Sequence, residues 1–272
     1  MAFQFPPSLR SWVHFLRIPN QLLLWICVWF FSKNALITHV WMWGGSFSLM
    51  LFAANGWNDW LDVKADERNR PGTNPFQFVK NKKTVLGILG TAMLASLLMG
   101  CWYLKELNGI QRWGWVLWLG LVPGLFAYSK WWQQVWLWKN ISASSLTASG
   151  VLSLGWITMG DAFPIALFGL VWLANFWREM VKDVIDANGD ANLKKGNVTR
   201  IFTIQHIQIL LTGSAIFSAF LMYPLLQHFV WWEGFGLISP PLVFLFLTWT
   251  KHWNLASLVL KIWMALGLII WL

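Results

Sequence analysis

The sequence predicts an all-α protein, a polytopic transmembrane bundle of about nine helices with a cytoplasmic-side cap of loops. Three observations predict it. Of 272 residues, 57% are hydrophobic and only 11% are charged, where ordinary soluble domains carry about 25% charged residues. Mean hydropathy is +0.52. Apolar runs close to the roughly 20 residues that cross a bilayer as helix follow one another along the chain. In hydrocarbon only a helix or a closed barrel satisfies its own backbone. No linker separates parts of the chain, so residues 1–272 are expected to form a single transmembrane domain. A typical soluble enzyme, a disordered tail and a fibrous repeat are excluded.

The elements follow in order. The first span, 18–33, comes after Pro6-Pro7 and Arg10 and is followed by no small-residue cleavage site. It therefore reads as a retained helix rather than a secretory signal. The second span, 36–57, runs into a long polar connection, 58–83. Spans 84–104, 112–130, 141–160 and 162–182 are joined by short connections, which make neighbours antiparallel hairpins. A second polar connection, 183–204, precedes spans 205–228, 234–250 and 254–272.

With nine spans, 16 of the 20 Lys and Arg fall on one side. Lys33, Lys105 and Arg112 fall on the other, and Lys261 lies inside the last span. Basic loops stay cytoplasmic, so the N-terminus and both long polar connections are expected in the cytoplasm and the C-terminus outside. The net charge of +9 is no nucleic-acid footprint, because the bases are scattered between apolar runs instead of clustered on one polar face. Cys27 and Cys101 lie in apolar stretches, which leaves no disulfide framework or cysteine metal site. Many of the 24 Trp, among them Trp57, Trp60, Trp131 and Trp132, stand at span ends, where aromatic belts form.

Eight of the eleven acids sit in two short segments at one membrane level, between Asp59 and Glu67 and between Glu179 and Asp190. Asn58, Asp62 and Asp66 are four apart. Asp183, Asp186 and Asp190 are three and four apart. Each set therefore climbs one helical face from the point where an apolar span ends. Two such faces repel unless a cation lies between them. Hard oxygen ligands without His or Cys suit Mg²⁺, which is typically held by a few carboxylates together with substrate phosphates. Arg68, Arg70, Arg178, Lys182, Lys194 and Lys195 lie within a few residues of the acids and offer charge-assisted hydrogen bonds to phosphate oxygens. Spacing alone leaves two readings open: a pair of solvated polar turns, or a Mg²⁺-diphosphate site whose ligand carries an apolar, isoprenoid tail.

At these residues the sequence resembles the UbiA superfamily of intramembrane prenyltransferases. Asn58-Asp59-x-x-Asp62-x-x-x-Asp66 followed by Arg70-Pro71 is similar to the family's first motif. Lys182-Asp183-x-x-Asp186-x-x-x-Asp190, with Arg178-Glu179 before it and Gly196 and Thr199 after it, is similar to the second. Tyr128-Ser129 with Asn140 is a third, weaker match. The chain departs from the family at Gln133-Gln134, where a basic pair is common, and at Gly72-Thr73-Asn74-Pro75, where many members carry a second Arg-Pro.

The resemblance implies Mg²⁺-dependent transfer of a prenyl group from an isoprenyl diphosphate donor to a lipophilic acceptor in the lipid bilayer, with diphosphate release. The acceptor would be an aromatic quinone precursor or a glycerol-phosphate-type lipid. It implies that Asn58, Asp62, Asp66, Asp183, Asp186 and Asp190 hold the metal, with Asp62, Asp66, Asp186 and Asp190 central to catalysis. It assigns Arg68, Arg70, Arg178 and Lys182 to the diphosphate, and Tyr128 and Asn140 to the neighbourhood of the bond that breaks. Arg17, at the start of the first span, would reach the acceptor or the diphosphate, or serve as a positive-inside anchor. A terpene cyclase on the same scaffold and a transporter with a cytoplasmic-side cation site are the alternatives. Transport carboxylates usually lie near the bilayer midplane, and here the acids lie at one end.

Overall fold

The structure is a computed structural model that describes residues 16–31, 37–69, 71–72, 74–77, 81–102, 107–162, 165–190, 196–226 and 231–270. Among these residues every regular element is helical. The long helices are α1 (Ile18–Phe31), α2 (Ile37–Leu61), α4 (Lys82–Trp102), α5 (Ile110–Lys130), α6 (Trp136–Met159), α7 (Ile165–Asp190), α8 (Ile204–Leu226), α9 (Trp231–Trp249) and α10 (Trp253–Ile270). A short α3 (Val63–Asn69) follows α2. Each long helix coincides with one span read from the sequence. The main differences are at polar ends: α2 and α7 continue past their apolar stretches into the acidic motifs.

Lys82–Trp102 is long and apolar enough to cross a bilayer by composition alone, with a mean hydropathy of 1.9. Several of the other helices interrupt their apolar runs with polar residues, among them the buried Ser46, Asn140, Ser144 and Gln208. The outer surface is apolar: Trp102 is 75% exposed, and Leu98, Trp113, Phe217 and Phe246 are each more than half exposed. Apolar exposure on this scale marks a surface that something apolar covers, and lipid is the covering that suits helices of this length.

The chain groups into two compact units, Met1–Trp132 with Ser149–Phe163, and Gln133–Ala148 with Pro164–Leu272. In the first unit α2 packs chiefly on α4 and also on α1 and α5. Close approach depends on small residues. A Cβ at Gly56 would lie 2.4 Å from Leu89, and one at Gly114 would lie 2.9 Å from the Ser153 carbonyl. Ser46 and Ser96 exchange hydroxyl-to-carbonyl bonds between α2 and α4, of 3.0 and 2.7 Å. At Gly150 a Cβ would meet nothing nearer than Leu121 at 3.8 Å, and at Gly169 nothing within 4 Å, so these two glycines are not close-approach positions.

In the second unit α10 packs on α7 and α9, and α9 on α8. Its core is aromatic: Trp177 is fully buried and stacks on Phe244 and Trp263, at 5.5 Å between centroids in each case. The Trp177 indole N–H donates to Ser214 Oγ at 2.8 Å, so the buried ring leaves no polar atom unmet.

Candidate active site

In the first unit the acidic motif bridges α2 and α3. Asp62 interrupts the regular helix, but its amide still donates to the Asn58 carbonyl and its own carbonyl accepts from the Asp66 amide, both at 2.9 Å. Helical progression is kept, and Asn58, Asp62 and Asp66 remain on one face. Asn58 Nδ2 donates to Asp62 Oδ2 at 3.0 Å, and the Ser129 hydroxyl of α5 donates to Asn58 Oδ1 at 3.3 Å.

Asp59 is 1% exposed and ion-paired with Arg17. It stands beyond the apolar stretch of α2. Burial pushes its carboxyl up to about 7; Arg17 pulls it down, and the charges of Asp66 and Asp62 push it up again. Arg17 itself has a φ of 50°, the left-handed conformation that side-chain-bearing residues adopt only at a cost. Its carbonyl accepts from the amides of Asn20 and Gln21 at 2.8 and 3.0 Å, which fixes the turn into α1.

The chain then turns at Gly72, whose φ of 75° suits a glycine. Asn74 follows, wholly buried. Its Nδ2 donates to the Asp59 carbonyl and to Asp66 Oδ2, both at 2.7 Å. Its Oδ1 accepts from the Phe76 amide at 2.9 Å, at the start of a 3₁₀ turn over Pro75–Gln77. Phe76 anchors this turn against Val85 and Leu89 of α4. Arg68 is exposed at the end of α3, and Tyr128 is half-buried on α5. Arg70, like Lys194 and Lys195, lies outside the described residues.

In the second unit α7 runs unbroken through its motif to Asp190. Asp183 is 1% exposed, with one oxygen ion-paired to Lys139. Its other oxygen accepts from Asn140 Nδ2 at 3.1 Å and from the Val198 amide at 3.0 Å. Lys139 stands in the first turn of α6. Burial works against its charge, but the carboxylates of Asp183, Glu179 and Asp190 outweigh burial and hold its ammonium above the ordinary lysine value. Lys139 also donates to the Gly196 carbonyl at 3.0 Å.

Asp186 is half-buried and Asp190 nearly fully buried. Arg178 and Lys182 both hold Glu179, at 2.7 and 3.2 Å. Asn140 is fully buried and donates to Asp183 and to Met180 Sδ. It therefore supports the carboxylate Asp183.

The loop after α7 is seated on the start of α6. The Gly196 amide donates to the Gln133 carbonyl at 2.8 Å. A Cβ at Gly196 would fall 2.6 Å from the Trp136 nitrogen and from the Val135 carbonyl carbon. Backbone cannot yield as a side chain can. Gly196→Ala is expected to lower thermal stability by about 1–3 kcal/mol, the range of overpacked sites, and to loosen the Val198–Asp183 bond. Thermal unfolding in detergent checks this, and an unchanged Tm would show that the loop tolerates the extra carbon.

Sequence reading located the six acid-motif residues and missed what holds them. Lys139 registers in the sequence only as a base near Gln133-Gln134, and Asn74 and Asn197 carry no signal in either motif. The one available hint is that an Asn follows the last Asp of each motif by eight and seven residues, just before a 3₁₀ turn.

The donor set is one of hard oxygens. Asn58, Asp62 and Asp66 share one face, as do Asp186 and Asp190. Among the described residues no three His, Cys, Asp or Glu side chains converge as a complete metal cage. Each incomplete oxygen set suits a cation whose remaining ligands come from water and phosphate, the way Mg²⁺ is ordinarily bound.

No known family profile matches the sequence. No curated protein matches it either. Solved structures do match. A digeranylgeranylglyceryl phosphate synthase described in membranes superimposes with a TM-score of 0.68 at 19% identity, over 96% of each chain. A UbiA homologue from Archaeoglobus fulgidus bound to GPP and Mg²⁺ gives 0.64 at 14% identity, over 96% of this chain and 99% of that one. The same organism's UbiA homologue bound to Cd²⁺ gives 0.62 at 14% identity. The chain thus has the fold of the UbiA homologues, all-helical and matched over nearly its whole length.

Proposed function

We propose that this chain is a multi-pass membrane enzyme of the UbiA superfamily, which transfers a prenyl group from an isoprenyl diphosphate to a lipophilic acceptor. The observation that carries the reading is the pair of acid sets on helical faces, each partly buried and braced by protein hydrogen bonds. They occur in a fold shared with a structure bound to GPP and Mg²⁺.

Each set would offer its oxygens to a metal-bound diphosphate. Asn58, Asp62 and Asp66 from one motif, and Asp186 and Asp190 from the other, are the oxygen ligands offered to Mg²⁺. Asp183 is left out of the ligand set, because Lys139, Asn140 and the Val198 amide engage both of its oxygens. Magnesium, when bound, supplies Lewis-acid neutralisation of the departing diphosphate. Arg68, Arg70, Arg178 and Lys182 bind phosphate oxygens. Glu179 holds Arg178 and Lys182 side by side, which limits the freedom they would lose on binding. The apolar helices keep water from the allylic carbon as it gains positive charge. The motif loops and the N-terminus face the cytoplasm and the C-terminus lies outside, as the basic residues require. The acceptor is a lipid such as a prenylated glycerol phosphate or a quinone precursor; the synthase among the matched structures favours the former.

The test is turnover of geranyl and longer prenyl diphosphates by the purified chain in detergent, with pooled glycerol-phosphate and phenolic acceptors and products read by mass spectrometry. A prenylated product that disappears with chelator and returns with Mg²⁺ is expected. Diphosphate release into a cyclic hydrocarbon without acceptor would replace transfer by cyclisation. No consumption of any diphosphate would overturn the reading.

A further inference from the structure

The two acid sets are held by the same hydrogen-bond pattern, repeated once in each unit. In the first unit Asn74 Nδ2 donates to the carbonyl of Asp59 and to the carboxylate of Asp66, seven residues further on. In the second, Asn197 Nδ2 donates to the carbonyl of Asp183 at 2.9 Å and to the carboxylate of Asp190 at 3.2 Å, again seven residues further on. Each Asn turns its Oδ1 to the amide two residues ahead, Phe76 at 2.9 Å and Thr199 at 3.0 Å. Each thereby opens a 3₁₀ turn, over Pro75–Gln77 and Val198–Arg200. Each is at most 1% exposed. The first Asp of each motif, Asp59 or Asp183, is likewise 1% exposed and ion-paired with a base from an earlier helix or its entry turn, Arg17 or Lys139.

We infer that Asn74 and Asn197 are equivalent positioning residues, one for each acid set, which aim the carboxylates of Asp66 and Asp190 for cation binding. An amide N–H donor leaves a carboxylate charged while fixing its direction. In each set the amide engages the Oδ2 oxygen of the carboxylate. Tying the same amide to a backbone carbonyl at the start of the motif locks the carboxylate to the helix, and the 3₁₀ turn locks the amide. Groups that orient metal ligands in this way typically change metal affinity by about 10- to 100-fold when removed. The inference rests on the proposed function only in taking both acid sets as cation ligands.

The experiment measures Mn²⁺ binding to the full chain in detergent, by the electron-spin-resonance signal of free Mn²⁺, with inorganic pyrophosphate present. Thermal unfolding is recorded in parallel. Asn74→Ala and Asn197→Ala are each expected to raise the Mn²⁺ Kd by about 10- to 100-fold. A purely structural role would lower Tm and leave the Kd of the folded fraction unchanged, which would overturn the inference. Should either alanine variant fail to fold, Thr199→Val serves in its place. It removes only the 2.7 Å bond from Thr199 Oγ that orients the Asn197 amide, and a rise in Kd of about fivefold is expected, the worth of one hydrogen bond. An unchanged Kd there overturns the inference as well. A wild-type chain that binds no Mn²⁺ removes the cation site and the clamps together. A wild-type chain that binds, with variants that bind equally, removes the clamps alone.

Discussion

Asp62→Asn and Asp186→Asn should each lower kcat/KM for prenyl transfer by at least about 10³-fold, with the protein still folded and inserted. Neutralising a leaving diphosphate is worth several kcal/mol of transition-state stabilisation, and about 4 kcal/mol corresponds to a thousandfold in rate. The substitutions keep side-chain size and remove one charge each from a set whose function is charge. Folding should survive at Asp62, because its helical backbone bonds to Asn58 and Asp66 do not involve the carboxylate. Asp186 is half-buried, and an amide there keeps the side chain's size. The assay is the initial rate of product formation at subsaturating donor, with circular dichroism as the folding control. Near-wild-type turnover in either variant would remove that acid from the proposed ligand set.

Lys139→Met should cost about 3–5 kcal/mol of stability, the penalty for leaving a buried charge without its partner. Asp183 is 1% exposed and Lys139 only 12%, so water cannot take the place of the missing ammonium. Adding Asp183→Asn to Lys139→Met should recover much of the loss. An amide at 183 carries no charge and its oxygen still accepts from the Val198 amide, the partner held at 3.0 Å in the native chain. Thermal or denaturant unfolding in detergent distinguishes the cases. A double variant as unstable as the single would mean that Lys139 matters through its bond to the Gly196 carbonyl and not through the pair.

The parts of this protein that local periodicity encodes were legible in the sequence. Among the described residues the nine long helices coincide with the apolar runs because bilayer-length hydrophobic stretches admit few other structures. Asn58, Asp62 and Asp66 share a face because a helix repeats every three to four residues, and the same rule placed Asp186 and Asp190. What the sequence hid are partners distant along the chain. Arg17 lies 42 residues before Asp59, and Lys139 lies 44 before Asp183. Nothing in either neighbourhood names the other. Asn74 and Asn197 were hidden for a different reason. They stand in irregular loops, where Asn is common for turn-forming reasons alone, and only the carboxylates they reach set them apart. Asp183 shows what spacing does not reveal: it matches the ligand pattern, and Lys139, Asn140 and the Val198 amide engage both of its oxygens.

The two buried ion pairs also bear on how the chain is made. At the roughly 5–20 residues per second of protein synthesis, the 44 residues between Lys139 and Asp183 take about 2–9 seconds to emerge. Throughout that interval Lys139 has left the ribosome without its carboxylate, and Arg17 waits as long for Asp59. Each base therefore reaches the membrane before its partner, as a lone charge at the end of its helix, and is paired only when the acidic helix arrives. Assembly of each unit thus has a built-in order, with the base-bearing helix held at the interface until its acidic partner closes over it.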